Sequence, residues 1–284
     1  MNSSAPTTWA GFPLHRPLVM GILNVTPDSF SDGGQHDRPD AAIAKGAAML
    51  AQGADILDVG GESTRPGSVT VPPAEEMARI VPVITALAAR GAVISVDTRN
   101  AATMAAALDA GARIINDVSG LRHDKAALGL VAQRGCPVVL MHMRGEPGTM
   151  NTLAQYEDVV ADVLAELTAT RDAALAAGVK AEAIALDPGL GFAKVGAQNL
   201  ALLRATKRLA ALGHAVLIGL SRKKFIGEFG GEAEAGKRMP GSVAAGLYAV
   251  AQGAHILRVH DVAETVQALR VWQSLNAGDE GAGL

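Results

Sequence analysis

The 284-residue chain has one cysteine, Cys136, so no internal disulfide framework is possible. Its neighbours Pro137, Val138 and Val139 are apolar, which favours a buried structural thiol over a nucleophile. Aromatic residues are scarce at 3%, and the core must therefore be built mostly from aliphatic side chains. Dense runs of Lys or Arg are missing and the net charge is −3, which argues against nucleic acid as the main partner. No apolar stretch reaches ~18 residues without a polar break, so no membrane span is expected. Met1 to Gly11 lack a basic segment followed by an apolar one, and no secretory signal is expected there. A soluble cytoplasmic protein is the resulting expectation.

Apolar residues make up 49% and charged residues 19%, which excludes a disordered chain or a coiled coil. Eight short aliphatic runs recur: Leu18–Leu23, Asp55–Val59, Val93–Val96, Arg113–Ile115, Pro137–Met141, Ala183–Leu186, Ala215–Leu220 and His255–Val259. Ala-rich segments such as Asp40–Gln52, Pro73–Arg90, Ala101–Ala110 and Tyr156–Ala177 lie between them, with apolar spacing of three and four that predicts helices. Gly53, Gly91, Gly111, Gly135, Gly178, Gly213 and Gly253 are placed to end such helices. Alternating strand and helix implies a parallel sheet. Eight near-equal units fit a closed (β/α)8 barrel in one domain over residues 18–274, with flexible ends at 1–17 and 275–284. An open doubly wound sheet is the alternative, but no G-x-G-x-x-G follows the first run.

Polar residues follow every run. They include Asn24; Glu62, Thr64 and Arg65; Asp97 and Arg99; Asn116 and Asp117; His142 and Arg144; Asp187; Ser221, Arg222 and Lys223; and Arg258, His260 and Asp261. A barrel gathers all of them at its C-terminal rim, where active sites are built. Asp117, Asp261 and Arg99 are equally well read as caps or solvated charges.

Asp97, Asn116 and Asp187 end the third, fourth and sixth runs and point into an otherwise aliphatic mouth. Buried carboxylates need donors, and a flat heterocycle with a guanidine-like edge would supply two parallel N–H groups. The competing reading pairs each Asp with a nearby cation, Lys223 for Asp187. Arg65, Arg258 and His260 come from runs that flank the first strand and suit a phosphate. Asn24 is either a turn former or a weak Mg²⁺ ligand that relies on substrate phosphates and water for the remaining positions. The Gly/Pro-rich segments 26–34 and 60–67 read either as mobile covers or as plain connections.

Nine stretches then carry a resemblance: GILNVTPDSFSDGG (21–34), GADILDVGGESTRPG (53–67), SVDT (95–98), INDVSG (115–120), MHMRGEPGTM (141–150), LDPGLGF (186–192), GLSRKKFIG (219–227), GSVAAG (241–246) and ILRVHDV (256–262). Together, and in this order, they resemble the dihydropteroate synthase family from about Leu18 to Gln273. The resemblance implies a (β/α)8 barrel that joins (7,8-dihydropterin-6-yl)methyl diphosphate to 4-aminobenzoate in folate biosynthesis, releasing diphosphate. It also implies a sulfonamide target, small-molecule substrates and, as is usual in the family, a homodimer.

Carried over by matching position, the resemblance gives Asp97, Asn116, Asp187 and Lys223 to the pterin. Thr64, Arg65, Arg258 and His260 fall to the diphosphate. Phe30, Thr64, Pro66 and Ser221 shape the 4-aminobenzoate pocket, to which Lys223 also contributes. Asn24 would hold Mg²⁺, and Asp97, Lys223 and Asn24 form the catalytic set of a dissociative, SN1-like reaction. A methyltetrahydrofolate-binding methyltransferase and a non-catalytic pterin-binding paralogue remain the alternatives. The first would need neither a diphosphate site nor an aminobenzoate pocket, and the second should have lost some of Asn24, Arg65, Asp97, Lys223 or His260, all of which are present.

Overall fold

Side chains alternate across a strand, and in a closed barrel the two faces become an inside and an outside. The computed structural model describes residues 5–26, 37–63, 70–146 and 148–276. All eight aliphatic runs are strands: β1 (Leu18–Asn24), β2 (Ile56–Gly60), β3 (Ile94–Asp97), β4 (Ile114–Asp117), β5 (Val138–Met141), β6 (Ile184–Asp187), β7 (Ala215–Gly219) and β8 (Ile256–Val259). They pair in parallel in chain order, and β8 closes on β1.

Alternation sorts the aliphatic side chains into two cores. Leu23, Val59, Val96, Ile115, Leu140, Leu186, Ile218 and Val259 face outward into the main core beneath the helices. Leu18, Met20, Ile56, Ile114, Val139, Ala185, Leu217 and Ile256 form a second, inner core. Two residues further along the same faces stand Asp58, Asn116, Asp187 and Arg258, and Asp97 follows Val93 at the same parity. The lumen is therefore apolar at the bottom and polar at the C-terminal mouth.

The outer ring comprises α1 (Asp37–Ala51), α2 (Pro73–Ala88), α3 (Ala101–Asp109), α4 (Ala127–Arg134), α5 (Val159–Ala176), α6 (Ala197–Arg204), α7 (Thr206–Ala210), α8 (Lys224–Gly230), α9 (Met239–Ala251) and α10 (Val262–Asn276). Local chemistry starts them. Pro73 opens α2 where its missing N–H costs nothing, and Asp158 caps α5 by accepting from the amides of Val160 and Ala161 at 2.9 and 3.1 Å. The seven glycines expected at helix ends all have positive φ, between 61° at Gly135 and 110° at Gly111. Among the described residues no helix is long and apolar enough to cross a membrane.

The flexible segment expected over 1–17 needs correction over the described residues 5–17. Thr8–Trp9 and Phe12–Pro13 form a two-stranded hairpin that turns on Ala10 and Gly11, both at positive φ. Trp9 is 1% exposed, packs with the inner core and donates from its indole to the Ala183 carbonyl at 3.0 Å. Burying an aliphatic or aromatic side chain of this kind contributes roughly 1.5–3 kcal/mol, which is enough to hold so short a hairpin on the rest of the barrel. At the other end α10 continues to Asn276, past the expected boundary at 275.

Candidate active site at the barrel mouth

Strand register brings the expected residues together. Asp97 on β3 pairs with Asn116 on β4, and Met141 on β5 pairs with Asp187 on β6. Asp97, Asn116 and Asp187 are 6%, 4% and 5% exposed, so all three line the lumen below the rim. Asn24 ends β1 beside Gly60 of β2, and Ser221, Lys223 and His260 follow β7 and β8. Phe30, Thr64, Arg65 and Pro66 lie outside the described residues.

Sequence reading missed Asp58. It sits within an aliphatic run and is fully buried, and only its inward parity, two residues beyond Ile56, marked it as a lumen residue. Its Oδ2 accepts from Asn116 Nδ2 at 3.0 Å and from Arg258 Nε at 2.5 Å. Arg258 also donates through Nη2 to Asp97 Oδ2 at 2.6 Å. The guanidinium expected at the cationic edge is therefore held, in this structure, between two carboxylates of the floor. Asp58 Oδ1 and Asp97 Oδ1 are buried without a hydrogen-bond partner among the described residues. Such acceptors are costly to leave unmade and call for donors from a ligand.

Charge in this floor is unbalanced. Asp58, Asp97 and Asp187 face Arg258 and Lys223. Burial, opposed by Arg258 and reinforced by the neighbouring Asp58 charge, pushes the Asp97 carboxyl up to about 7. Burial likewise raises Asp187, against the pull of Lys223 and the hydrogen bond that Asp187 Oδ1 accepts from the Gly189 amide at 2.7 Å. Desolvation lowers the Lys223 ammonium to about 8 although Asp187 opposes it. The alternative pairing of Lys223 with Asp187 is not a contact ion pair: the ammonium bonds the Leu190 carbonyl and lies 4.5 Å from the centre of the Phe192 ring.

The remaining rim residues divide clearly. Ser221 Oγ accepts from the His260 amide at 3.1 Å and lies 3.1 Å from His260 Nδ1, which joins the ends of β7 and β8. Asp117 accepts from the amides of Ser119 and Leu121, Asp261 pairs with Arg222, and Arg99 pairs with Glu62. Asp117 thus acts as a cap, whereas Arg99, 3% exposed, is a buried ion-pair partner, neither a cap nor a solvated charge. Cys136 is buried and its thiol pushed up by that burial, as expected of a structural cysteine. No cluster of three or more His, Cys, Asp or Glu suited to a metal occurs among the described residues. The half-buried Asn24 offers one neutral oxygen at the rim, which fits only a hard cation that takes its other ligands from substrate and water.

A barrel with a polar, donor-seeking slot in its mouth defines an enzyme that takes a small heterocycle, and the pterin binding enzyme family matches residues 20–260. A dihydropteroate synthase of Neisseria meningitidis serogroup B is 48% identical, over 92% of this chain and 94% of that protein. The structure of Xanthomonas albilineans dihydropteroate synthase with 4-aminobenzoic acid superposes with a TM-score of 0.89 at 50% identity, covering 94% of this chain and 95% of the other. The same enzyme in complex with 7,8-dihydropteroate gives 0.86 at 48% identity, covering 94% and 96%. The chain belongs to the dihydropteroate synthase family.

The unbalanced floor can be titrated. Carboxyl-carbon NMR of the free protein, assigned by difference with Asp97→Asn, should show Asp97 titrating near pH 7. Asp58→Asn removes a like charge, so that midpoint should move down. An Asp97 midpoint in the ordinary range near 4, unmoved by Asp58→Asn, would contradict the described floor.

Proposed function

We propose that the chain condenses (7,8-dihydropterin-6-yl)methyl diphosphate with 4-aminobenzoate, giving 7,8-dihydropteroate and diphosphate. The observation that carries this reading is the pair of partnerless carboxylate oxygens on Asp58 and Asp97, beside the buried Asp187 and Asn116. A pterin edge presents N–H donors in one plane, which is what such a floor lacks. Asp187 would accept from the 2-amino/N3 edge, and Lys223 would donate to the carbonyl and N5 side.

Each group then has a task. Arg258 and His260, with Thr64 and Arg65, would bind the diphosphate. Arg258 gives two of its five N–H groups to Asp58 and Asp97, and would offer the others to a phosphate oxygen. Ser221, with Phe30, Thr64 and Pro66, would border the 4-aminobenzoate. When bound through Asn24 and the diphosphate, Mg²⁺ would supply further stabilisation of negative charge on the departing oxygens. As the C–O bond to diphosphate breaks, positive charge develops on the pterin methylene, and the ionised Asp97 would stabilise it. The arylamine nitrogen then forms the new C–N bond and loses a proton to water.

Exposed apolar residues of three consecutive helices support a homodimer: Phe229 on α8, Tyr248 on α9, and Val271 and Leu275 on α10. Light scattering should give about twice the chain mass of 29.0 kDa, and Phe229→Glu should shift it toward the monomer. A monomeric wild type would remove the dimer from the account. A cytoplasmic location accords with a lone buried thiol, and recovery of the chain in a periplasmic fraction would contradict it.

The reaction is tested by diphosphate release from purified protein with the pterin diphosphate, with and without 4-aminobenzoate and Mg²⁺. Release that requires Mg²⁺, with 7,8-dihydropteroate formed when both substrates are present, is the expected result. In single-turnover experiments, some release without 4-aminobenzoate supports the dissociative route. Release strictly dependent on it, with a chemical step linear in its concentration, argues for direct displacement. Absence of any release would favour the methyltransferase or non-catalytic alternatives.

A further inference from the structure

Lys194, in the loop after β6, is 3% exposed, and its side-chain hydrogen bonds go to His142 and Phe192. Burial lowers its pKa well below the ordinary lysine value, and its ammonium has three N–H donors, all three of them used. Nζ lies 2.8 Å from His142 Nδ1 and donates to the carbonyls of Phe192 at 2.7 Å and of His142 at 3.3 Å. His142 is 2% exposed and its Nε2 lies 2.9 Å from Glu166 Oε2. The imidazole therefore donates to Glu166 and accepts from Lys194. Burial and the adjacent ammonium hold it neutral, with its pKa lowered to about 3. Asp187 and, through the ring, Glu166 are the carboxylates that favour the ammonium, and the other Glu166 oxygen holds Arg144.

The two segments joined in this way meet beside the pterin slot. The His142 amide donates to the Asp187 carbonyl at 3.0 Å. Beside the His142 carbonyl sits Gly189 at φ +66°, where a Cβ would lie 2.0 Å from the carbonyl oxygen. Only glycine permits that approach. The Gly189 amide in turn holds the Asp187 carboxylate, and the Phe192 ring lies against the Lys223 ammonium. One buried ammonium thus ties the end of β5 to the loop that follows Asp187 and carries Phe192. A methionine has nearly the same length and would fill this space without the cost of desolvating a charge. Packing alone does not account for a lysine.

We propose that Lys194 is a positioning residue for the pterin half of the site, fixing Asp187 and Phe192 through the Phe192 and His142 carbonyls. This rests on the function proposed above. Steady-state kinetics of Lys194→Met should show KM for the pterin diphosphate raised about tenfold or more, the loss of roughly one well-made charged hydrogen bond. kcat, and KM for 4-aminobenzoate at saturating pterin, should stay within about threefold, because the variant disturbs ground-state placement of one substrate only. Glu166→Gln, at a partly exposed position, keeps the shape and removes one balancing charge, and should raise the same KM by about threefold. If Lys194→Met does not fold, Glu166→Gln decides. An unchanged pterin KM in folded protein, or a fall in kcat with both KM values unchanged, would overturn the assignment. Wild-type protein that turns over neither substrate would instead overturn the function on which it rests.

Discussion

Arg258 sits between two carboxylates, and the chemistry of the mouth depends on how that guanidinium is shared. Asp58 and Asp97 are buried and each takes one of its N–H groups, at 2.5 and 2.6 Å. Removing one partner from such a buried pair typically costs 3–5 kcal/mol, so the arrangement is hard to dismantle. It is also incomplete: one oxygen of each carboxylate has no hydrogen-bond partner among the described residues. The floor stores an unmet need for donors, which a planar heterocycle can meet without a change of fold.

The same sharing links floor and rim. A guanidinium that leaves a carboxylate for a phosphate exchanges one anion for another, at a modest electrostatic difference. Losing that neighbour would also raise Asp97 further, unless the ring's own donors or developing positive charge take its place. In the proposed reaction that positive charge appears as diphosphate departs. The carboxylate becomes most favoured in its ionised form when the methylene most needs it. The barrel sets these groups at two heights: Asp58, Asp97, Asn116, Asp187 and Arg258 lie on strands, whereas Ser221, Lys223 and His260 lie on the loops beyond them.

Much of the fold was legible because each strand of a parallel barrel is buried on both faces and so reads as a short aliphatic run. Such runs show where strands lie but not which residues face inward, since both faces are apolar. Asp58 was hidden for that reason: within Ile56–Gly60 it reads as an interruption until Ile56 is seen to face the lumen. Asp97, Asn116 and Asp187 were easier, because each is a polar residue at the very end of a run. Lys194 and Glu166 carry no local signal at all. Their link passes through His142 and joins a helix, a strand end and a loop 24 to 52 residues apart in sequence. Trp9 was missed because two strands of two residues each show no period, and the partner that buries its ring is the barrel bottom.

Diffraction from crystals soaked with the pterin diphosphate would probe the floor most directly. The ring should lie against Asp97, Asn116 and Asp187, with its donors on Asp58 Oδ1 and Asp97 Oδ1 and the Arg258 guanidinium turned toward the phosphates. A ring bound elsewhere, with Arg258 still bridging Asp58 and Asp97, would contradict that placement.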